Sequence, residues 1–203
     1  MHGLSRGLAR RGPRLRELIP GALLLVLLAA PAPAGVLATV QDAAIAQTRE
    51  KVVYDGKYVR IPYPGGDVPA GTGVCTDVVI RAYRKAGIDL QVLVHEDMKA
   101  NFSAYPKNWG RREPDSNIDH RRVPNLMTFF KRRGAAKPVT KSPADYAPGD
   151  IVAWDLGGGV THIGLVVPEG IVHNIGRGPQ REDVLFNWKI IGHYHWEPAA
   201  RAP

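Results

Sequence analysis

One cysteine and two histidines have residue types and positions that suit nucleophilic catalysis. Cys75 is the only cysteine of the chain, and it follows a glycine-containing loop at 71–73. His162 opens a predicted strand, and His173 lies near the end of the next predicted strand. A thiol nucleophile needs a base within hydrogen-bond reach, and the base needs a polar group that orients it. The three residues meet this requirement if the helix after the loop packs on the two strands.

The element that must position Cys75 is an amphipathic helix. Its apolar residues recur at the spacing of one helical face; they are Val74, Val78, Val79, Ala82, Tyr83 and Ala86. Gly87 is suited to end the helix. Free N–H groups and the helix dipole favour a thiolate in a first helical turn, so we predict a pKa for Cys75 below the ~8.5 of a free cysteine. The alternative is that Cys75 is a small buried hydrophobe.

The histidines belong to a predicted antiparallel sheet in the last third of the chain. Short apolar strands at 151–154, 162–167, 171–175 and 190–196 are separated by Gly- and Pro-containing turns. Helices first and strands last indicate an α+β domain. Successive strand residues point to opposite faces, so only one of His173 and Asn174 can meet His162. The apolar pattern leaves that choice open.

Residues 1–34 have the layout of a secretory signal peptide. Five arginines precede an apolar run at 21–30, which is too short to span a bilayer comfortably, and small residues follow. We predict cleavage after Ala34 or Ala38, with an uncleaved anchor as the alternative. The expected product is exported to the periplasm or cell envelope and has no membrane span. It consists of an N-terminal segment (35–50) and one domain (51–198).

Export and composition narrow the class of function. Cleavage after Ala34 removes five arginines and one glutamate, which lowers the formal charge from +8 to about +4. This modest charge on an exported chain argues against nucleic-acid binding. A lone cysteine in an oxidising compartment cannot form an intramolecular disulfide, so it needs burial or a function. Because compact metal-ligand signatures such as H-E-x-x-H are missing from the sequence, we predict neither a metal nor another cofactor.

The cysteine helix and the histidine-bearing strands together resemble the NlpC-type branch of the papain-like cysteine peptidases. The resemblance rests on Cys75 at a helix start, the turn at 148–150, the strand at 162–167 and the stretch at 172–174. It implies a papain-like α+β fold, with the cysteine helix packed on a small antiparallel sheet. It also implies a catalytic triad of Cys75, His162 and His173, with Asn174 as the alternative third residue.

A second and closer resemblance covers about residues 50–196. The segments 73–81, 94–98, 117–126 and 173–176 resemble the bacterial exported family labelled domain of unknown function 1287. One departure from NlpC-type enzymes is Val74, which stands where they usually have an acidic residue. Asp77 lies two residues after the cysteine, about 200° around the helix, so we expect it to face away from Cys75 and to pair with Arg81.

The resemblance implies an exported cysteine hydrolase, a peptidase or amidase acting on peptidoglycan stem peptides or related envelope amides. The alternatives are a non-catalytic module that binds such peptides and an acyltransferase with the same Cys-His chemistry. The irregular segment 103–122 is long enough to be functional. The candidate substrate-binding residues are Tyr63, Trp109, His120 and Arg121. Arg121 could instead belong to an internal ion-pair network, and the tyrosines of 54–63 could pack against the core.

Overall fold

In the computed structural model, which describes residues 35–198, the helices come first along the chain and the main sheet comes last. The helices are α1 (Val36–Gln47), α2 (Cys75–Lys85), α3 (Leu90–Asn101) and α4 (Val123–Arg132). The strands are β1 (Val53–Tyr54), β2 (Thr72–Gly73), β3 (Ile151–Asp155), β4 (Thr161–Val167), β5 (Gly170–His173), β6 (Gln180–Glu182) and β7 (Lys189–Tyr194). The predicted α+β class is confirmed. The predicted signal peptide lies outside the described residues.

Five strands form one antiparallel sheet in the order β6-β5-β4-β3-β7. Short turns join β3 to β4 and β4 to β5, so these strands are neighbours both along the chain and in space. A separate parallel pair, β1 with β2, places Tyr54 opposite Gly73, just before the cysteine helix. The sequence pattern predicted neither this pair nor β6, because strands of two or three residues show no period.

The two faces of the main sheet have different surroundings. One face packs against the helices and contributes Ile163, Leu165 and Val172 to the main core. The opposite face carries a second, smaller apolar cluster around Trp154 and Ile171. His162 alternates with Ile163 along β4, so the two side chains start from opposite faces of the sheet.

Helix α2 is fixed at both ends by its own sequence. At its start the Asp77 carboxylate accepts a hydrogen bond from the Val74 backbone N–H (2.7 Å), which satisfies one free donor of the first turn. At its end Gly87 adopts a left-handed φ of 78°. The N–H of Ile88 then donates to the carbonyl of Tyr83 (3.0 Å), the bond of a Schellman motif. The position of Cys75 is therefore determined by local capping as well as by packing.

Neither edge of the main sheet is a long, unpaired strand. Beside β7, the N–H of Lys137 donates to the carbonyl of His193, and the N–H of His195 donates to the carbonyl of Ala135, both at 2.8 Å. The other edge is β6, which has three residues, with Arg181 and Glu182 among them. Segment 135–137 thus pairs with one edge, and the other edge is short and charged.

Candidate functional site

The side chain of Cys75 is buried at the start of α2, with 4% of the residue exposed. Burial raises the pKa of the thiol to about 11; a hydrogen bond from the Ile163 backbone N–H opposes the rise, and the Asp77 carboxylate adds to it. The prediction that the helix N-terminus lowers the pKa of Cys75 was therefore wrong. The loss of solvent around the sulfur outweighs the helix dipole. The contact with Ile163 places the sulfur against β4, at the residue that follows His162.

Tyr54 is a neighbour of Cys75 that the sequence did not single out. Its hydroxyl lies within hydrogen-bonding reach of the sulfur and of the Cys75 backbone N–H. Burial, followed by the charge of the Cys75 thiolate, raises the pKa of Tyr54 to about 12. The residue is nevertheless 43% exposed. Tyr54 therefore connects the buried sulfur with the protein surface.

His162 and His173 contact each other across adjacent strands. In the register of β4 and β5, His173 lies opposite Gly164, and His162 is its diagonal neighbour on the same face. The Nε2 atom of His162 and the Nδ1 atom of His173 are 2.8 Å apart. The rings of Trp154 and Trp188 lie beside His162, with centroids 5.7 and 6.0 Å away. Burial, with a smaller contribution from His173, lowers the pKa of His162 to about 3.

Asn174 occupies a different place from His173. Its side-chain amide donates to the carbonyl of Gly73 (3.4 Å) and accepts from the N–H of Gly176 (3.0 Å). The residue thus ties the end of β5 to the loop before Cys75. Of the two candidates for the third position, His173 is the one in contact with His162.

Glu182 extends the histidine pair to a third strand. Its Oε2 atom lies 2.9 Å from Nε2 of His173, and its Oε1 atom accepts from Arg177 (3.1 Å). His173 is buried, and burial is the main cause that lowers its pKa, with the hydrogen bond to Glu182 acting against it. No sequence pattern pointed to Glu182, since a strand as short as β6 has no detectable period.

Gly164 leaves the space in which the two histidines meet. A Cβ atom at this position would lie 2.8 Å from Cγ2 of Ile171 and 3.0 Å from Cβ of His173. We expect Gly164→Ala to lower the free energy of unfolding by about 1–3 kcal/mol, because the added methyl group overpacks the strand pair. Urea unfolding measures the change. Gly56→Ala is the matched control, since its nearest new contact is Cγ1 of Val74 at 3.7 Å. Equal stabilities of the two variants would contradict the close packing.

We expect the Cys75 thiol to react slowly with iodoacetamide in the folded protein at about neutral pH, because a thiol with a pKa of about 11 is protonated there. Unfolding in urea at the same pH should speed the reaction, as the pKa returns to about 8.5. The folded state holds this proton more tightly, so the associated stability is complete below about pH 8.5 and is lost as pH rises through about 11. Rapid alkylation of the folded protein near pH 6–7 would instead support a Cys75 pKa below that of a free cysteine.

Arg121 and Asp77 form a buried ion pair beneath the start of α2. The guanidinium donates to both carboxylate oxygens at 2.9 Å, and both side chains are almost fully buried. The hydroxyl of Thr76 donates to the carbonyl of Arg121 (3.0 Å), which adds a second link. The predicted Asp77–Arg81 pair was therefore wrong: Arg81 binds Asp67 instead, at 2.9 Å. These contacts favour the structural alternative for Arg121.

The other substrate-binding candidates lie in separate surroundings. His120 is buried, and burial lowers its pKa to about 4. The hydroxyl of Tyr63 donates to Glu96 on α3 (2.9 Å). The ring of Trp109 is partly exposed and lies 4.0 Å from the guanidinium of Arg122. Tyr63 and Trp109 are thus the members of the set that reach the surface.

The remaining histidines of the sheet have a carboxylate partner of their own. Asp150 contacts Nε2 of His193 and Nδ1 of His195, each at 2.7 Å. The other ring nitrogen of His193 lies 3.0 Å from the carbonyl of Pro138. This cluster holds the end of β7.

Within residues 35–198, no group of three or more His, Cys, Asp or Glu side chains is arranged to hold a metal ion. No helix in that range is long and apolar enough to cross a bilayer.

The comparison with known proteins covers the whole site. The family model described as domain of unknown function (DUF1287) matches residues 41–196, a range that includes Cys75, His162, His173 and Glu182. A relative from Escherichia coli (strain K12), "Uncharacterized protein YijF", is 53% identical over 165 residues, which cover 77% of this chain and 80% of that protein. By both measures, the chain belongs to the DUF1287 family.

Proposed function

We propose that this protein is an exported cysteine hydrolase with NlpC-like, papain-like architecture, acting on amide bonds of peptidoglycan stem peptides or related envelope amides. The observation that carries the proposal is the contact of the Cys75 sulfur with the Ile163 backbone N–H, which brings the start of α2 to β4 one residue after His162. The cysteine, the first histidine and the second histidine come from α2, β4 and β5, the elements that the resemblance to NlpC-type peptidases assigns to a triad.

The pKa values indicate how such a triad would work. A thiol with a pKa of about 11 and an imidazole with a pKa of about 3 are both neutral at pH 7. The nucleophile is then not a preformed thiolate. In the proposed mechanism His162 takes the thiol proton as a general base while the sulfur attacks, and its ring, which starts from the face opposite Ile163, must reach the sulfur around the start of β4. Because Nε2 of His162 is occupied by His173, its Nδ1 is the nitrogen available for this proton.

The reaction then follows the acyl-enzyme route. The Cys75 sulfur forms a bond to the substrate carbonyl carbon, and the carbonyl oxygen becomes an oxyanion. His162 returns the proton to the leaving amine as the carbon–nitrogen bond breaks, which leaves a thioester. Water, deprotonated by His162, attacks the thioester and releases the acid and the free thiol. The Cys75 backbone N–H and the Tyr54 hydroxyl, which lie close to the sulfur, are the donors that we propose for the oxyanion.

Substrate access requires Tyr54 to move. Its hydroxyl occupies the hydrogen-bonding space of the Cys75 N–H and sulfur, while the rest of the side chain reaches the surface. A substrate carbonyl that accepts from the same N–H displaces the hydroxyl. The Tyr54 side chain is then free to bond the carbonyl oxygen from the other side.

The test is digestion of purified cell wall and of synthetic stem peptides, with mass spectrometry of the products. Hydrolysis yields fragments with a new amine and a new carboxylate. Addition of a free amino acid as an acceptor distinguishes acyl transfer, which would give an amide of the added amine. Intact substrate after incubation with the folded wild-type protein would contradict hydrolysis.

The non-catalytic alternative is supported by the burial of Cys75. A thiol that is 4% exposed with a raised pKa is also what a packing cysteine would show. A binding module would take up stem peptides, measured by calorimetry, with equal affinity in the wild type and in Cys75→Ser, and would release no fragments.

A further inference from the structure

We propose that Glu182 is a positioning residue of this site: through His173 it sets which ring nitrogen of His162 carries the proton. The carboxylate contacts Nε2 of His173 at 2.9 Å, and Nδ1 of His173 contacts Nε2 of His162 at 2.8 Å. The three side chains form a continuous hydrogen-bonded row across β6, β5 and β4. The row begins at the Glu182 carboxylate, which in its ionised form can only accept hydrogen bonds.

The order of protons follows from what each group can donate. An ionised carboxylate only accepts hydrogen bonds, so Nε2 of His173 must carry a hydrogen. A neutral imidazole has one N–H, which leaves Nδ1 of His173 as an acceptor. Nε2 of His162 must then donate to it. Nδ1 of His162 is left with a free electron pair, which is the form that a general base requires.

Without the carboxylate the opposite order is equally possible. Water can donate to Nε2 of His173 as readily as accept from it. His173 could then carry its hydrogen on Nδ1 and donate it to Nε2 of His162. In that arrangement Nδ1 of His162 is protonated, and it cannot take a proton from Cys75. Glu182 thus excludes the inactive tautomer.

The environment of Glu182 supports this role. Arg177 contacts its second oxygen at 3.1 Å, on the exposed side of the carboxylate. The Arg177 side chain is 69% exposed, whereas His173 and His162 are buried, so the row leads from the surface inward. A partly exposed carboxylate at this edge is not needed to fill the core. Its contact with a buried histidine is the feature that calls for a function.

The direct test is nitrogen NMR of the purified protein labelled with ¹⁵N-histidine at pH 7. The ¹⁵N shifts and the couplings to ring protons identify the protonated nitrogen of each neutral imidazole. In the wild type we expect His162 and His173 both to carry the hydrogen on Nε2. Glu182→Ala should give a mixture of tautomers in both rings. A wild-type His162 protonated on Nδ1 would overturn the proposal, whatever the stability of the variants.

Two further variants separate positioning from general damage. Glu182→Gln keeps an oxygen that can accept from His173, so it should restore most of the wild-type tautomer. Arg177→Ala is the matched control: it removes the exposed ion pair but keeps the Glu182 carboxylate, so the tautomers should stay as in the wild type. Identical spectra for Glu182→Ala and the wild type would refute the role of Glu182.

The kinetic consequence rests on the proposed hydrolase function, whereas the tautomer measurement does not. General base catalysis contributes about 10²–10⁴-fold to a rate. We expect Glu182→Ala to lower kcat for stem-peptide cleavage by about 10-fold or more, with KM little changed, and Glu182→Gln to recover most of it. If the wild type cleaves nothing, hydrolysis fails while the NMR result still decides the role of Glu182.

Discussion

Cys75→Ala is expected to abolish stem-peptide cleavage and to leave the fold intact. In the proposed mechanism the variant lacks the atom that forms the thioester, so turnover should fall by at least about 10³-fold, as loss of a covalent nucleophile does elsewhere. The side chain is small and buried, and alanine fits the same space with little rearrangement. Product release measured by mass spectrometry gives the activity, and circular dichroism checks the fold. Cleavage at the wild-type rate would remove Cys75 from the mechanism.

Cys75→Ser sharpens this experiment. The hydroxyl keeps the polar contacts of the thiol with the Ile163 N–H and with Tyr54, so the geometry of the site should persist. Serine is much harder to deprotonate than cysteine, and His162 has a pKa of only about 3. We therefore expect bound but uncleaved peptide. Equal binding by both Cys75 variants, together with an inactive wild type, would support a binding module.

Arg121→Ala is expected to cause a large loss of stability. The change leaves the carboxylate of Asp77 buried without its partner, and breaking a buried ion pair in this way costs about 3–5 kcal/mol. The pair also joins segment 103–122 to the first turn of α2, so the loss should loosen both. Urea unfolding gives the free energy. A loss of cleavage or peptide binding at unchanged stability would assign Arg121 to substrate recognition.

Two controls accompany this variant. Arg181→Ala removes a surface pair with Glu169 (3.6 Å), which should cost about 0–1 kcal/mol. The double variant Asp77→Ala/Arg121→Ala removes both charges, so it should be less destabilised than the sum of the two single variants. Additive losses would mean that the two side chains do not interact as the structure places them.

The sequence predicted those parts of the fold that have a clear apolar period or that end at a clear turn or capping residue. The apolar spacing after Cys75, ended by Gly87, predicted α2 closely, and the short apolar run after His162 predicted β4. The resemblance to NlpC-type peptidases favoured His173 over Asn174, and His173 is the residue that contacts His162. These features depend on residues close together in the chain or on a motif of several residues.

The rest depends on contacts that no local pattern encodes. Glu182 reaches His173 from a three-residue strand, and Tyr54 reaches Cys75 from a two-residue strand. Asp77 could be paired with Arg81 by helical spacing, but it binds Arg121, which is 44 residues away in the chain. The pKa of Cys75 could be judged only from the helix dipole, because the extent of burial is a property of the assembled core.

The covered edge and the short edge of the main sheet should limit aggregation of the protein at high concentration. A long unpaired strand edge is a template on which a second chain can add and begin aggregation. Segment 135–137 already occupies the β7 edge, so a foreign strand would have to displace it. The β6 edge offers only three residues, among them Arg181 and Glu182. Substituting Arg181 and Glu182 with β-branched apolar residues would remove the charges that protect this edge and leave its shortness as the remaining protection.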